Sequence, residues 1–161
     1  MAKAERVLRI SGTYHRKQGV SEKEFHDFLA YRHGIECAKV HERHGILKYD
    51  MIFNTTATRA LGKSLNLPYK LNDYDLQIEY YFKDVESLLG ISGDKDFKVL
   101  HGEAEPYVDL TTTNITVGWV EVYLDNGKLV NIDSDGKTSL YPSFEEMSDV
   151  PLANKPADKY Y

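Results

Sequence analysis

The sequence predicts an α+β domain whose elements run β-α-β-β-α-β, and three observations carry that reading. Several segments alternate apolar and polar residues with the period of two that marks a half-buried strand. One long segment repeats apolar residues at helical spacing behind a capping signature. A second, looser helical region separates the last two strands.

Val7 to Tyr14 is the first strand, with Leu8, Ile10 and Tyr14 alternating against Arg9, Ser11 and Thr13. His15 to Gly19 forms a polar turn. Ser21 and Glu24 then give the capping box S-x-x-E, with Val20 placed for a hydrophobic staple. The helix behind it runs to about His44, where Gly45 supplies a stop. Ile46 to Asn54 is the second strand, carrying Leu47, Tyr49, Met51 and Phe53 on one face. Residues 55 to 73 form a long connection with room for a short helix near Ala57 to Leu65, before Pro68. Connections of this length often wall a pocket.

Tyr74 to Phe82 is the clearest strand: Tyr74, Leu76, Ile78, Tyr80 and Phe82 alternate with Asp75, Gln77, Glu79 and Tyr81. Asp84 caps a second helical region over Val85 to Leu89, and Asp94 caps a continuation through about His101. Gly90 and Gly93 interrupt that region. Asn114 to Leu124 is the fourth strand, and Asn126-Gly127 is a turn signal. The boundaries that follow are a domain over 1–125 and a C-terminal extension over 126–161. The extension, punctuated by Pro142, Pro151 and Pro156, is expected to wrap the domain or its dimer.

This order is the split βαβ, or ferredoxin-like, arrangement. Two helices cover one face of a four-stranded sheet. The other face is expected to include apolar positions, so pairing two sheets as a homodimer would bury them.

Composition excludes several function classes. The net charge is −5 with no basic stripe, whereas nucleic-acid binding needs clustered Lys and Arg. The single cysteine, Cys37, excludes an internal disulfide and fits a reducing compartment. Met1 to Arg6 is charged, without an apolar signal region. No apolar run approaches the ~20 residues of a membrane span. The expectation is a cytoplasmic protein with neither membrane nor nucleic-acid partner. Twelve tyrosines suit either interfaces and pockets for flat, partly polar ligands, or edge strands and surface.

At 100° per residue, Phe25, Leu29, His33, Cys37, Val40 and His44 fall along one side of the first helix. That side faces the sheet. A histidine at position 33 must find a hydrogen-bond partner there or border a cavity. His44 lies eleven residues further on, roughly 16 Å away, too far for a dyad although one extended substrate could reach both. His41 and His44 lack the further ligands a metal would need, and charge at the helix C-terminus is the simpler reading. No nucleophile elbow, P-loop or dinucleotide fingerprint is present.

The stretch from Tyr14 to Asn54 resembles the EthD family of dimeric α+β barrel proteins. The likeness rests on R-K-x-G-V-S-x-x-E-F-H across Arg16 to His26, then Tyr31-Arg32-His33-Gly34, where Ile35 stands at the family's usual proline. It is closer to the fungal branch that contains decarboxylases and dehydratases of aromatic polyketides. Gly45-Ile46-Leu47-Lys48-Tyr49, Asn54 to Arg59, Asp73-Tyr74-Asp75 and Thr116-Val117-Gly118-Trp119 support that branch. The resemblance covers about residues 7 to 124.

It implies a pocket between helices and sheet, with His33 as acid or base. The activity expected is a cofactor-independent lyase, most simply a decarboxylase, acting on an aromatic polyketide. Loss of CO2 leaves charge on an oxygen and a carbon, so donors and a proton source are required. His33, Tyr49 and Asp75 are the candidate catalytic residues; His44, Asn54, Tyr74, Trp119 and Tyr31 are the candidate substrate contacts, and no metal or cofactor is expected. Dehydration or cyclisation would use the same groups. A cofactor-free oxygenase acting on anthrones and a non-catalytic dimer that binds aromatic ligands are the rival readings.

Overall fold

A computed structural model of the chain describes residues 2–138 and 140–153. The elements run β1 (Val7–Arg16), α1 (Glu22–Phe28), a π-helical turn (Leu29–His33), α2 (Gly34–Arg43), β2 (Lys48–Phe53), α3 (Thr56–Ser64), β3 (Leu76–Phe82), α4 (Val85–Gly93), α5 (Lys95–Ala104) and β4 (Val108–Val120). A small hairpin of β5 (Leu124–Asp125) and β6 (Lys128–Leu129) follows, then α6 (Phe144–Ser148). The sheet order is β2-β3-β1-β4, with every neighbour antiparallel. This is the ferredoxin-like α+β fold, with α3 inserted between β2 and β3. No described helix is long and apolar enough to cross a membrane.

Residues directly opposite on antiparallel strands share a face. Ile10 pairs with Tyr80 and Val117, and Tyr80 pairs with Tyr49. The even positions of β1 and β3, the odd positions of β2 and the odd positions of β4 from Ile115 onward therefore turn toward the helices, while before the register shift Val108 and Leu110 do so. Phe25, Leu29, Leu76, Ile78, Ala104 and Val108 close the core between the layers.

The opposite face mixes polar and apolar positions, as expected. Arg9, Ser11, Gln77, Glu79 and Tyr81 lie there beside Val7, Ile52 and Val120, and Ile52 is 46 % exposed. Glu79 is buried, accepts from Ser11, Gln77 and Tyr81, and pairs with Arg9 at 3.2 Å. Of the apolar side chains left open on the sheet, Ile115 and Val117 of the outer strand β4 are each 57 % exposed.

β4 begins at Val108, six residues before the expected start, and β1 runs on to Arg16. Thr111 to Thr113 are β-branched and suit a strand. An irregularity between Thr13 and His15 lets the pairing resume as His15 with Asp109 and Arg16 with Val108. The expected end of the strand lies instead in the hairpin, turned by Asn126 and Gly127 at φ 47 and 74. Gly90 does not interrupt α4; a Cβ there would stand 2.5 Å from Nδ1 of His44, so the glycine makes room for that ring.

Residues 121–149 fold back on the start of the chain. The Ala4 amide donates to the Leu140 carbonyl, and Arg6 donates to the carbonyls of Glu146, Met147 and Asp149 at the end of α6. Met147 is fully buried beneath that contact. Pro156 and the rest of the extension to Tyr161 lie outside the described residues.

Candidate active site

Helices and sheet leave a cavity of about 290 Å³ between them. Leu29, Ile78, Leu88, Ile91 and Ile115 form much of its apolar wall. His33, Tyr14, Tyr80, Ser92 and His101 bring polar atoms to it.

The sequence positions His33 in two steps. The Ser21 hydroxyl accepts from the Glu24 amide, and the Glu24 carboxylate accepts from the Ser21 amide at 2.9 Å, so α1 starts at a defined point. The helix then widens. The Gly34 amide donates to the Leu29 carbonyl, five residues back, and closes the π turn that ends at His33. A Cβ on Gly34 would stand 2.8 Å from that carbonyl. Glycine is what the wide turn requires.

The turn also changes which side chains face inward. In an unbroken helix His41 would lie about 160° round from Phe25, and one extra residue brings it back by about 100°. His41 is 1 % exposed, so it is not the helix-end surface charge expected from its spacing. Its ring meets Tyr49 and Tyr80 edge-on, each at 4.6 Å, and neither nitrogen has a hydrogen-bond partner among the described residues.

His33 is buried. Its Nε2 lies 3.3 Å from Sγ of Cys37, and its Nδ1 has no hydrogen-bond partner among the described residues. Burial, reinforced by the like charge of His101, pushes His33 down to about 4, so the ring is neutral near pH 7. Burial pushes the Cys37 thiol up to about 12, leaving it protonated. His101 is also lowered by burial, against the opposing pull of Glu105.

Of the eight candidates named from sequence, His33 alone lines this cavity. Tyr49 stands one layer behind it, stacked on Tyr80 at 5.3 Å. Its hydroxyl is buried and unpartnered among the described residues, and burial raises it well above the usual phenol range. Asp75 binds the Arg16 amide at 2.8 Å and pairs with the guanidiniums of Arg16 and Arg59. Burial would raise that carboxyl, but these donors outweigh it and hold it below its ordinary value.

His44 Nε2 lies 2.7 Å from Asp94, which also receives Arg43 and caps α5. Asn54 donates to the Tyr74 carbonyl at 2.7 Å, and the Tyr74 hydroxyl donates to Gln77. Both residues line a separate groove beside Arg59. Trp119 meets Phe144 of α6 edge-on, and Tyr31 is 69 % exposed beside His26.

The cavity residues that were not singled out left a readable signal. Tyr14 and Tyr80 occupy the apolar alternates of their strands, and Phe97, His101 and Ala104 share one side of α5 at helical spacing. Among the described residues, no three His, Cys, Asp or Glu side chains converge as ligands for a metal ion.

Residues 17–111 match the EthD domain. A protein of Aspergillus terreus, provisionally named an oxygenase, is 32% identical over 88% of this chain and 91% of its own length. The conidial pigment biosynthesis dehydratase EthD of Metarhizium robertsii is 29% identical, over 78% of this chain and 91% of its own. The decarboxylase nsrE of Aspergillus novofumigatus is 28% identical, over 73% of this chain and 80% of its own. An EthD family protein of Bacillus halodurans of known structure shares the fold at a TM-score of 0.50 and 14% identity, covering 70% of this chain and 96% of that one.

Proposed function

The chain belongs to the EthD-domain family, and on that footing we propose that it is a cofactor-independent lyase that decarboxylates an aromatic polyketide acid. The observation that carries this reading is His33, a buried imidazole on the wall of an apolar cavity whose Nδ1 has no hydrogen-bond partner among the described residues. The relatives named as a decarboxylase and a dehydratase support a lyase of fungal secondary metabolism.

In the proposed step the rings enter the apolar cavity and the carboxylate comes to rest beside His33. A carboxylate in a low-dielectric site favours the imidazolium, reversing the effect of burial. In the keto tautomer the bond between ring carbon and carboxyl carbon breaks, CO2 leaves, and the electron pair passes through that carbon into the neighbouring carbonyl, which becomes an enolate. His33 then delivers its proton to that carbon and regains one from solvent. Tyr80 and Tyr14 line the same wall, and theirs are the hydroxyls we assign to the enolate oxygen. Tyr49 acts from behind by holding Tyr80, and Asp75 by tying α3 to the strands through its arginines.

The working unit we propose is a homodimer, for which the exposed Ile115 and Val117 on the outer strand β4 are the support. Light scattering should then return twice the monomer mass.

The lyase is tested by mass spectrometry on candidate polyketide acids. Loss of CO2 is the expected result, and His33→Ala should lower kcat by about 10²–10⁴. Full turnover by that variant would sink the assignment. The Aspergillus terreus relative favours a second reading, an oxygenase. Oxygen uptake with gain of an oxygen atom in the product would select it.

A further inference from the structure

A second concavity, about 640 Å³, opens beside the first. His101, Val108 and Leu110 belong to the walls of both. One imidazole and two aliphatic side chains therefore form the boundary that the two spaces share, the neck of the proposed site. Their chemistry differs sharply. The inner chamber is apolar apart from its few polar atoms, whereas Lys17, Lys98, Glu105, Asp109 and Thr111 line the outer one.

The charges of the outer groove are not equally available. Asp109 is occupied by the amide and hydroxyl of Thr111. The Lys17 ammonium donates to the Glu105 carbonyl at 2.9 Å. Lys98 is exposed and has no ion pair among the described residues, which leaves it as the cation free to meet an anion near the neck.

At about 290 Å³ the inner chamber sits at the lower edge of the ~300–1,000 Å³ typical of small-molecule pockets. It suits a compact one- or two-ring body, and anything longer must pass His101. We propose that the two chambers form one site for an elongated aromatic diacid, with the ring that carries the scissile carboxylate inside beside His33 and a second, distal carboxylate outside at Lys98. His101 is the positioning residue at the neck. This inference extends the lyase reading by naming the shape and charge of the ligand, and rests on it only for the chemistry.

The test is binding, not turnover. Anthraquinone-2-carboxylate, 2-naphthoate and 2-naphthol serve as probes, followed by fluorescence or calorimetry. The three-ring acid should bind the unmodified protein most tightly. Lys98→Glu should weaken the three-ring acid about tenfold and leave 2-naphthol within about twofold. His101→Trp, which fills the neck, should weaken the three-ring acid more than 2-naphthol; Lys98 is exposed, so its variant tests the assignment without touching the core. Equal weakening of long and short probes, or no preference for the three-ring acid, would overturn the two-chamber site. CO2 release is read separately. Its absence with the binding pattern intact would overturn the lyase alone.

Discussion

At the scale of single residues, the interior is notable for neutral histidines. His33 and His41 are both buried and both pushed down to about 4, chiefly by burial. The folded state favours their neutral forms, whereas in the unfolded chain each titrates near 6.5. Their contribution is therefore complete above about pH 6.5 and is lost as pH falls toward 4. Urea titrations should show stability declining across that window. His41→Phe should flatten the decline, because a phenyl ring suits the cage of Tyr49, Tyr80 and Phe97 and has no nitrogen to charge. An unchanged pH dependence would show that His41 contributes nothing to it. His33 offers no such harmless replacement, since the same ring is the proposed proton donor.

At the scale of elements, the widened turn between α1 and α2 decides the geometry of the cavity wall. Gly34→Ala would press a methyl group onto the Leu29 carbonyl. Relaxation to an ordinary α-helical turn would rotate α2 by about 100° relative to the sheet, moving His41 off the buried face. We expect a loss of stability of about 2 kcal/mol or more, in the range of other substitutions that disturb a packed interior, with ligand binding lost alongside it. Ser21→Ala offers the contrast. It removes a cap and should cost about 1 kcal/mol by thermal unfolding, while the cavity and its ligand affinity stay as they are.

At the scale of the whole molecule, the N-terminal segment and α6 hold each other. Arg6 satisfies three carbonyls at the end of α6, and Met147 fills the space beneath. Arg6→Ala should release α6 and make residues 121–149 the first target of limited proteolysis, with the EthD domain intact. Simultaneous cleavage of both regions would mean that they unfold together.

Much of this architecture is legible in local sequence, because its causes are local. Alternation in β1 and β3, the Ser21 capping box, the Asp84 and Asp94 caps and the Asn126-Gly127 turn all act within a few residues. The placement of His33 on the sheet-facing side follows from helical period alone. Tertiary structure decided the rest. His33 and His101 come to one cavity from helices 68 positions apart in the chain. Asp75 and His44, polar and well spaced for chemistry, are claimed by Arg16, Arg59 and Asp94. No periodicity announces the π turn; it forms because Gly34 permits it, and it selects His41 for the interior. Local propensity sets what each segment is, while long-range packing sets which side chains meet, and a binding site is made of meetings.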